Sequence, residues 1–282
     1  MRVKITIPEE LKRDVPPSRW GKVLTVTPVV MTVIATLLAG LASSEMTRAQ
    51  YDRALGAQLQ SKAGDQWSYF QAKKLRGAMQ RTSVELLQAT AEIRPLKHPA
   101  LDKVVALPAL ELEPAVEAAM AAVEKQAPEE EIVQRLRNVD GPALALALQS
   151  AKNNALAFEA ANAPTLQALE QLEKALTPGD RSAVRDFTAA RMRVNGIRYD
   201  AEARLNQNIA NLYELQVRKA NISAERHHRR SGKFFLGMLS AQAAVIIATF
   251  AIATQKRNFL WSVAAVAGFA AIGFAIYVYL QV

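Results

Sequence analysis

The sequence predicts an all-α membrane protein with three transmembrane helices, a long antiparallel helical hairpin stalk and a small helical head inserted into it. Three observations predict it. Three stretches of about 20 residues contain no Asp, Glu, Lys, Arg or His, the length at which a helix crosses a hydrocarbon core of roughly 30 Å. The segments that follow the first stretch and precede the second repeat apolar residues every three or four positions, which is a helix period. Between those segments, prolines and acidic residues accumulate and mark a different unit.

The basic tail, 1–22, carries Arg2, Lys4, Lys12, Arg13, Arg19 and Lys22. The first span occupies 23–42, with Pro28 near its start, where a missing N–H does least damage. A cleaved leader is the rival reading, with Gly40, Leu41 and Ala42 as the cleavage site. The apolar stretch exceeds the roughly 7–15 residues of a leader's core, so a retained span is expected. The second span, 234–254, and the third, 259–280, are joined by 255–258 and form a tight antiparallel pair. Helix is the economical way for each to satisfy its own backbone in lipid. Trp20, Trp261, Tyr277 and Tyr279 fall where interfacial aromatics belong.

Six basic residues precede the first span, against Arg48, Arg53 and Lys62 just after it; Lys256 and Arg257 sit in the short loop. The positive-inside bias puts the tail and that loop in the cytoplasm, and residues 43–233 across the membrane. The cluster Arg218, Lys219, Arg226, Arg229, Arg230 and Lys233 argues the other way, but long loops translocate largely regardless of charge.

Charge divides the 43–233 segment. Residues 95–180 hold 7 basic and 13 acidic side chains, whereas the flanks 43–94 and 181–233 together hold 20 and 10. Eight of the twelve prolines lie in the middle and none in the flanks. Leu55, Leu59, Ala63, Trp67 and Phe70 form one stripe, and Val194, Ile197, Ala201, Leu205, Ile209 and Leu212 another. Matched lengths and opposed directions predict two stalk helices, 43–94 and 181–233, paired antiparallel. Gly56, Gly64, Gly77 and Gly196 either weaken these helices or let the backbones approach closely. Prolines divide the head into helices over about 111–126, 129–137, 142–162 and 164–176. Pro128 and Glu129–Glu131 make a helix start, and Asp180 or Ser182 caps the second stalk helix. The stalk is expected to carry the acidic head some distance from the bilayer.

No catalytic chemistry is legible. The absence of cysteine excludes disulfides, thiol catalysis and zinc–thiolate sites. The histidines are His98 and the adjacent pair His227 and His228, whose side chains point about 100° apart on a helix, so no metal site is expected. Ser231, Gly232 and Lys233 match only the tail of a phosphate loop. No ionisable residue lies within a span, which argues against a transport pathway, and Gln242 is expected to pair with a neighbouring helix. Small residues at Ser240, Ala244 and Ala248, and at Ala267, Ala271 and Ala275, permit close span packing. No catalytic residue, cofactor or metal is expected, and no nucleic-acid partner.

Two places hold candidate contact residues. Arg226, Arg229, Arg230 and Lys233 adjoin the second span and suit snorkelling or contact with anionic membrane lipid. Trp67, Tyr69, Phe70 and Gln71 lie in the string Asp65-Gln66-Trp67-Ser68-Tyr69-Phe70-Gln71-Ala72-Lys73-Lys74, as a packing layer inside the stalk or a docking surface. That string, its preceding span and the paired spans after Ala224-Glu225-Arg226-His227-His228 resemble an uncharacterised family of bacterial inner-membrane proteins, classed as a domain of unknown function. The resemblance covers about 20–94 and 181–282, with 95–180 as an enlarged middle. It implies the architecture and an inner-membrane location, and brings no activity, cofactor or site residues. The expected function is a non-enzymatic membrane-anchored scaffold for self-association or docking of another membrane protein. The alternative is an accessory subunit of a transporter or envelope-stress system.

Overall fold

The apolar runs and the striped flanks fuse into unbroken helices. The computed structural model describes residues 19–96, 98, 107–177, 179–253 and 257–281. In chain order the helices are α1 (Arg19–Thr90), α2 (Pro114–Glu124), α3 (Glu129–Arg137), α4 (Gly141–Ala175), α5 (Arg181–Ala253) and α6 (Arg257–Gln281), with no strand among the described residues. The tail before Arg19, Pro99, Pro178, Gln255 and Lys256 lie outside the described residues, as do the side chains of Trp20, Arg257 and Tyr279. Neither α1 nor α5 breaks between its apolar run and its charged flank, and Pro28 lies inside α1. By contact, the chain forms two compact units, Met1–Arg53 with Ser223–Val282, and Ala54–Ile222.

The first unit contains three apolar segments, in α1, α5 and α6, of mean hydropathy 2.0, 1.9 and 2.1, each long and apolar enough to cross a membrane. Ala35, Leu38 and Ala42 pack with Phe234, Ala241, Ala271 and Val278. A Cβ at Gly237 would stand 3.4 Å from Leu38 Cδ1 and 3.7 Å from the Ala271 carbonyl, so close approach explains the glycine. The expected small-residue faces are shifted. Ala244, Ala248 and Ala271 are buried, but Ser240, Ala267 and Ala275 are half-buried, and the buried line on α5 is Gly237, Ala241, Ala244, Ala248 and Ala251. Lateral faces carry exposed Val29, Val33, Leu37, Phe250, Val266 and Phe269, as a lipid-facing surface would.

In the second unit α1 and α5 run antiparallel. Ala63, Ala201, Leu205, Ile209 and Leu212 are buried along the expected stripes, and Trp67 and Phe70 are half-buried. Ile197 departs from its stripe and is exposed, because the α5 backbone meets α1 through Gly196 instead. Three of the four glycines serve close approach. A Cβ at Gly56 would lie 3.0 Å from Asn221 Oδ1, and one at Gly77 would lie 2.9 Å from Asp200 Oδ1 and 3.6 Å from the Gly196 carbonyl. Gly64 faces open space.

The acidic middle is not carried beyond the far end of the hairpin; it folds back along it. α2, α3 and the first half of α4 bury Val116, Met120, Ile132, Leu136, Leu144 and Leu148 against Ile209, Leu212, Tyr213 and Leu215 of α5 and Ala63 of α1. Further along, Phe158 packs on Ala201 and Leu205, and Leu169 on Phe187 and Val194. α4 thus lies antiparallel to α5. The opposite charges that the sequence separates meet here in two pairs, Arg218 with Glu129 (3.1 Å) and Arg191 with Glu173 (2.6 Å), and the Asn211 amide donates to Glu124 (3.4 Å). The Lys219 ammonium donates to the carbonyls of Leu136 (3.1 Å) and Val139 (2.7 Å), and so caps the negative end of α3. Burial alone would lower the Arg218 pKa, but bonds to Glu214 and Glu129 outweigh it and hold the guanidinium above its ordinary value.

α4 also corrects the expected break at Pro164: the helix continues from Gly141 to Ala175 with that proline inside. The proline has no N–H to give one turn back. Just before it, buried Asn162 donates its side-chain amide to the Phe158 carbonyl (2.8 Å), and Leu169 beyond it is held by Phe187. Packing on both sides outweighs the local break.

Asp180 is the cap of α5. Its Oδ1 accepts from the N–H groups of Ser182 and Ala183 (both 3.0 Å) and from the Ser182 hydroxyl (2.8 Å). The Ala183 N–H and the Ser182 hydroxyl are the main causes that hold its carboxyl below the ordinary aspartate value. A depressed folded pKa contributes stability that is present above the unfolded value and lost as pH falls through the folded one. Asp180→Asn, which keeps the cap without the charge, is expected to melt below the parent near pH 7, to lose less of its thermal midpoint between pH 5 and 3, and so to converge with the parent at low pH. An equal loss in both would show that this carboxylate is not a source of the acid sensitivity.

Candidate functional site

The geometry at the base of the spans begins with a helix period. Arg226, Arg229, Arg230 and Lys233 lie at intervals of three, one and three, on one face of α5. Arg229 is exposed and bonded to Glu225 (2.7 Å), whose carboxyl it holds below the usual range. Arg226 is exposed, and Arg230 is half-buried with its Nε enclosed and without a hydrogen-bond partner among the described residues. The Lys233 ammonium lies 5.0 Å from the centre of the Tyr277 ring, a cation–π contact within the membrane unit. Three of the four cations therefore have no carboxylate partner among the described residues.

Behind this face, two polar contacts fasten α5 to α1. The Ser231 hydroxyl donates to the Ala42 carbonyl (2.7 Å), and His227 Nδ1 lies 2.5 Å from Glu45 Oε2. His227 is thus half-buried and bonded, while His228 is exposed. The sequence reading missed Glu45 as its partner. A single polar residue on an otherwise apolar face was the available signal, but nothing local says which of the residues far along the chain it meets.

In the hairpin unit the Trp67 string divides. Trp67 donates its indole N–H to Glu214 (2.7 Å) and meets Phe70 edge-on at 5.4 Å. Tyr69 and Gln71 point outward and are exposed. The four residues do not form one surface: two pack inside and two face solvent. A cavity of about 410 Å³ opens between α1, α4 and α5, lined by Gln66, Lys73, Lys152, Phe158, Glu202 and Asn206 among others. Lys73 is ion-paired with Glu202, and the Lys152 ammonium sits 5.1 Å from the Tyr213 ring centre. Gln66 Oε1 is buried and accepts no hydrogen bond among the described residues. No group of three His, Asp or Glu residues among the described residues is placed to hold a metal ion.

No curated protein matches the chain, and no solved structure does. The model of one family, described as a domain of unknown function (DUF4337), matches residues 20–163. The match ends at 163, within the acidic middle, and does not take in 181–282, which the sequence resemblance also covered. It takes in the first span, the Trp67 string, α2, α3 and much of α4. With half of its length matched, the chain belongs to the family described as the domain of unknown function DUF4337.

Proposed function

We propose that the protein is a non-enzymatic, membrane-anchored scaffold of a bacterial inner membrane, whose hairpin docks a helical partner or another copy of itself. One observation carries the reading: α1 has an apolar stripe that its own chain leaves uncovered. Ala72, Leu75, Met79, Thr82 and Leu86 recur at intervals of three, four, three and four, and Leu75, Met79 and Leu86 are 63, 60 and 62% exposed. The stripe lies opposite the face that holds Ala63, Trp67 and Phe70, and Tyr69 and Gln71 flank it on either side. Heptad spacing of this kind suits a second helix laid along the first.

The basic face of Arg226, Arg229, Arg230 and Lys233 supports contact with anionic lipid at the foot of the spans, worth roughly 1 kcal/mol per basic residue near a charged surface. The charge bias about the first span supports residues 43–233 on the periplasmic side.

The chain lacks cysteine, so single cysteines report cleanly. A cysteine in place of Met79, crosslinked in native membranes, is expected to give a discrete species of higher mass, and Leu75→Lys with Leu86→Lys to abolish it. A monomer alone would overturn the reading. A cysteine in place of exposed Ala145 is expected to react with an impermeant maleimide in intact spheroplasts; protection until lysis would reverse the orientation.

A further inference from the structure

We infer that the outward face of the second span is the seam of a symmetric pair, occupied by the same face of a second copy and held by the amide of Gln242. This deepens the scaffold reading and rests on its membrane anchoring. Within its own unit α5 buries Gly237, Ala241, Ala244, Ala248 and Ala251. The opposite side of the helix carries Phe235, Leu239, Gln242, Ile246 and Thr249, all exposed, at intervals of four, three, four and three. Two helices in contact along a seam require that interval.

The neighbouring helix with which Gln242 is expected to pair is not found within the described residues: its side chain is exposed and makes no hydrogen bond among them. The hydroxyls nearby are already committed, Ser240 to the Leu236 carbonyl (3.0 Å) and Thr249 to the Val245 carbonyl (2.8 Å). Counted along the helix, Gln242 lies about 12 Å from Phe234 and about 17 Å from Ala253, which is deep in the hydrocarbon. An unpaired amide is costly there, because neither water nor a lipid tail can bond to it. The amide both donates and accepts. A copy related by a twofold axis along the membrane normal therefore presents the same group to it and returns both bonds at once. Leu239 and Ile246, one turn to either side, supply the apolar contact.

The test uses the full chain in native membranes, with single cysteines at Phe235, Leu239, Ile246 and Thr249, and at Leu236 and Ala243 on a neighbouring face. Oxidation is expected to give disulfide-linked dimers at the first four positions and at least tenfold less at the other two. Gln242→Leu is expected to lower dimer formation by the Leu239→Cys chain about tenfold, and Gln242→Asn to retain it. Equal crosslinking at all six positions, no dimer at any, or an unchanged Gln242→Leu chain would each overturn the proposal. The Met79→Cys chain separates the two readings. If its capture persists where the span gives no dimer, pairing falls and the scaffold stands; a span dimer without capture at Met79 removes the scaffold alone.

Discussion

Phe158→Ala is expected to cost about 3–5 kcal/mol and to loosen α4 from α5. Phe158 is 2% exposed and fills the space between Ala201, Leu205, Leu107 and Ala155. It also walls the cavity between α1, α4 and α5, so truncation enlarges an opening that exists already and leaves its neighbours without contacts. The loss should be read as a fall in the unfolding midpoint of the whole chain in detergent micelles, followed by circular dichroism. Susceptibility to protease in the 91–113 and 138–140 connections should rise with it. Phe158→Leu refills much of the volume and is expected to lose less than half as much. Equal losses from the two substitutions would show that the filled volume is not what holds α4 down.

Gly77→Leu is expected to cost about 1–3 kcal/mol by forcing α1 away from α5. The position leaves no room: its Cβ would meet Asp200 Oδ1 at 2.9 Å and the Gly196 carbonyl at 3.6 Å. Asp200 is itself the ion partner of Arg81 across the same seam, so a side chain at 77 displaces a carboxylate that is holding the helices together. Gly77→Ala tests the balance. Alanine favours the helix by up to about 1 kcal/mol, against the displacement of a flexible carboxylate, and a midpoint near that of the parent is expected. Unfolding of the Gly77→Leu chain at the parent's midpoint would mean that α1 and α5 do not touch there.

The spans and the hairpin were legible because their signals are local and redundant. Twenty uncharged, mostly apolar residues in a row need no partner to be recognised, and Leu55, Leu59 and Ala63 declare an inner face by their spacing alone. The glycines at 56, 77 and 196 could be read two ways, and only the distance to the facing helix decides for close approach. Pro164 misled because a local break was weighed without the contacts of Phe158 and Leu169 on either side of it. The placement of the acidic middle was not legible either. Charge counts show that 95–180 and its flanks attract, but they do not say that Glu129 meets Arg218 or that Lys219 ends α3. Of the candidate site, the four cations stand out in the sequence by their place beside the second span, and their intervals set them on one face of α5. Trp67 and Tyr69 were grouped as neighbours although a helix turns them apart, one onto Glu214 and the other to solvent.

The two arms of the hairpin are distant in the chain. Trp67 finds Glu214 across 147 residues, and a ribosome adding about 5–20 residues per second needs about 7–30 s to cover that distance. Throughout that time α1 is already made while the helix that covers its inner face does not yet exist. The nascent protein therefore displays two greasy sides instead of one, and its yield in the cell depends on how well that interval is chaperoned.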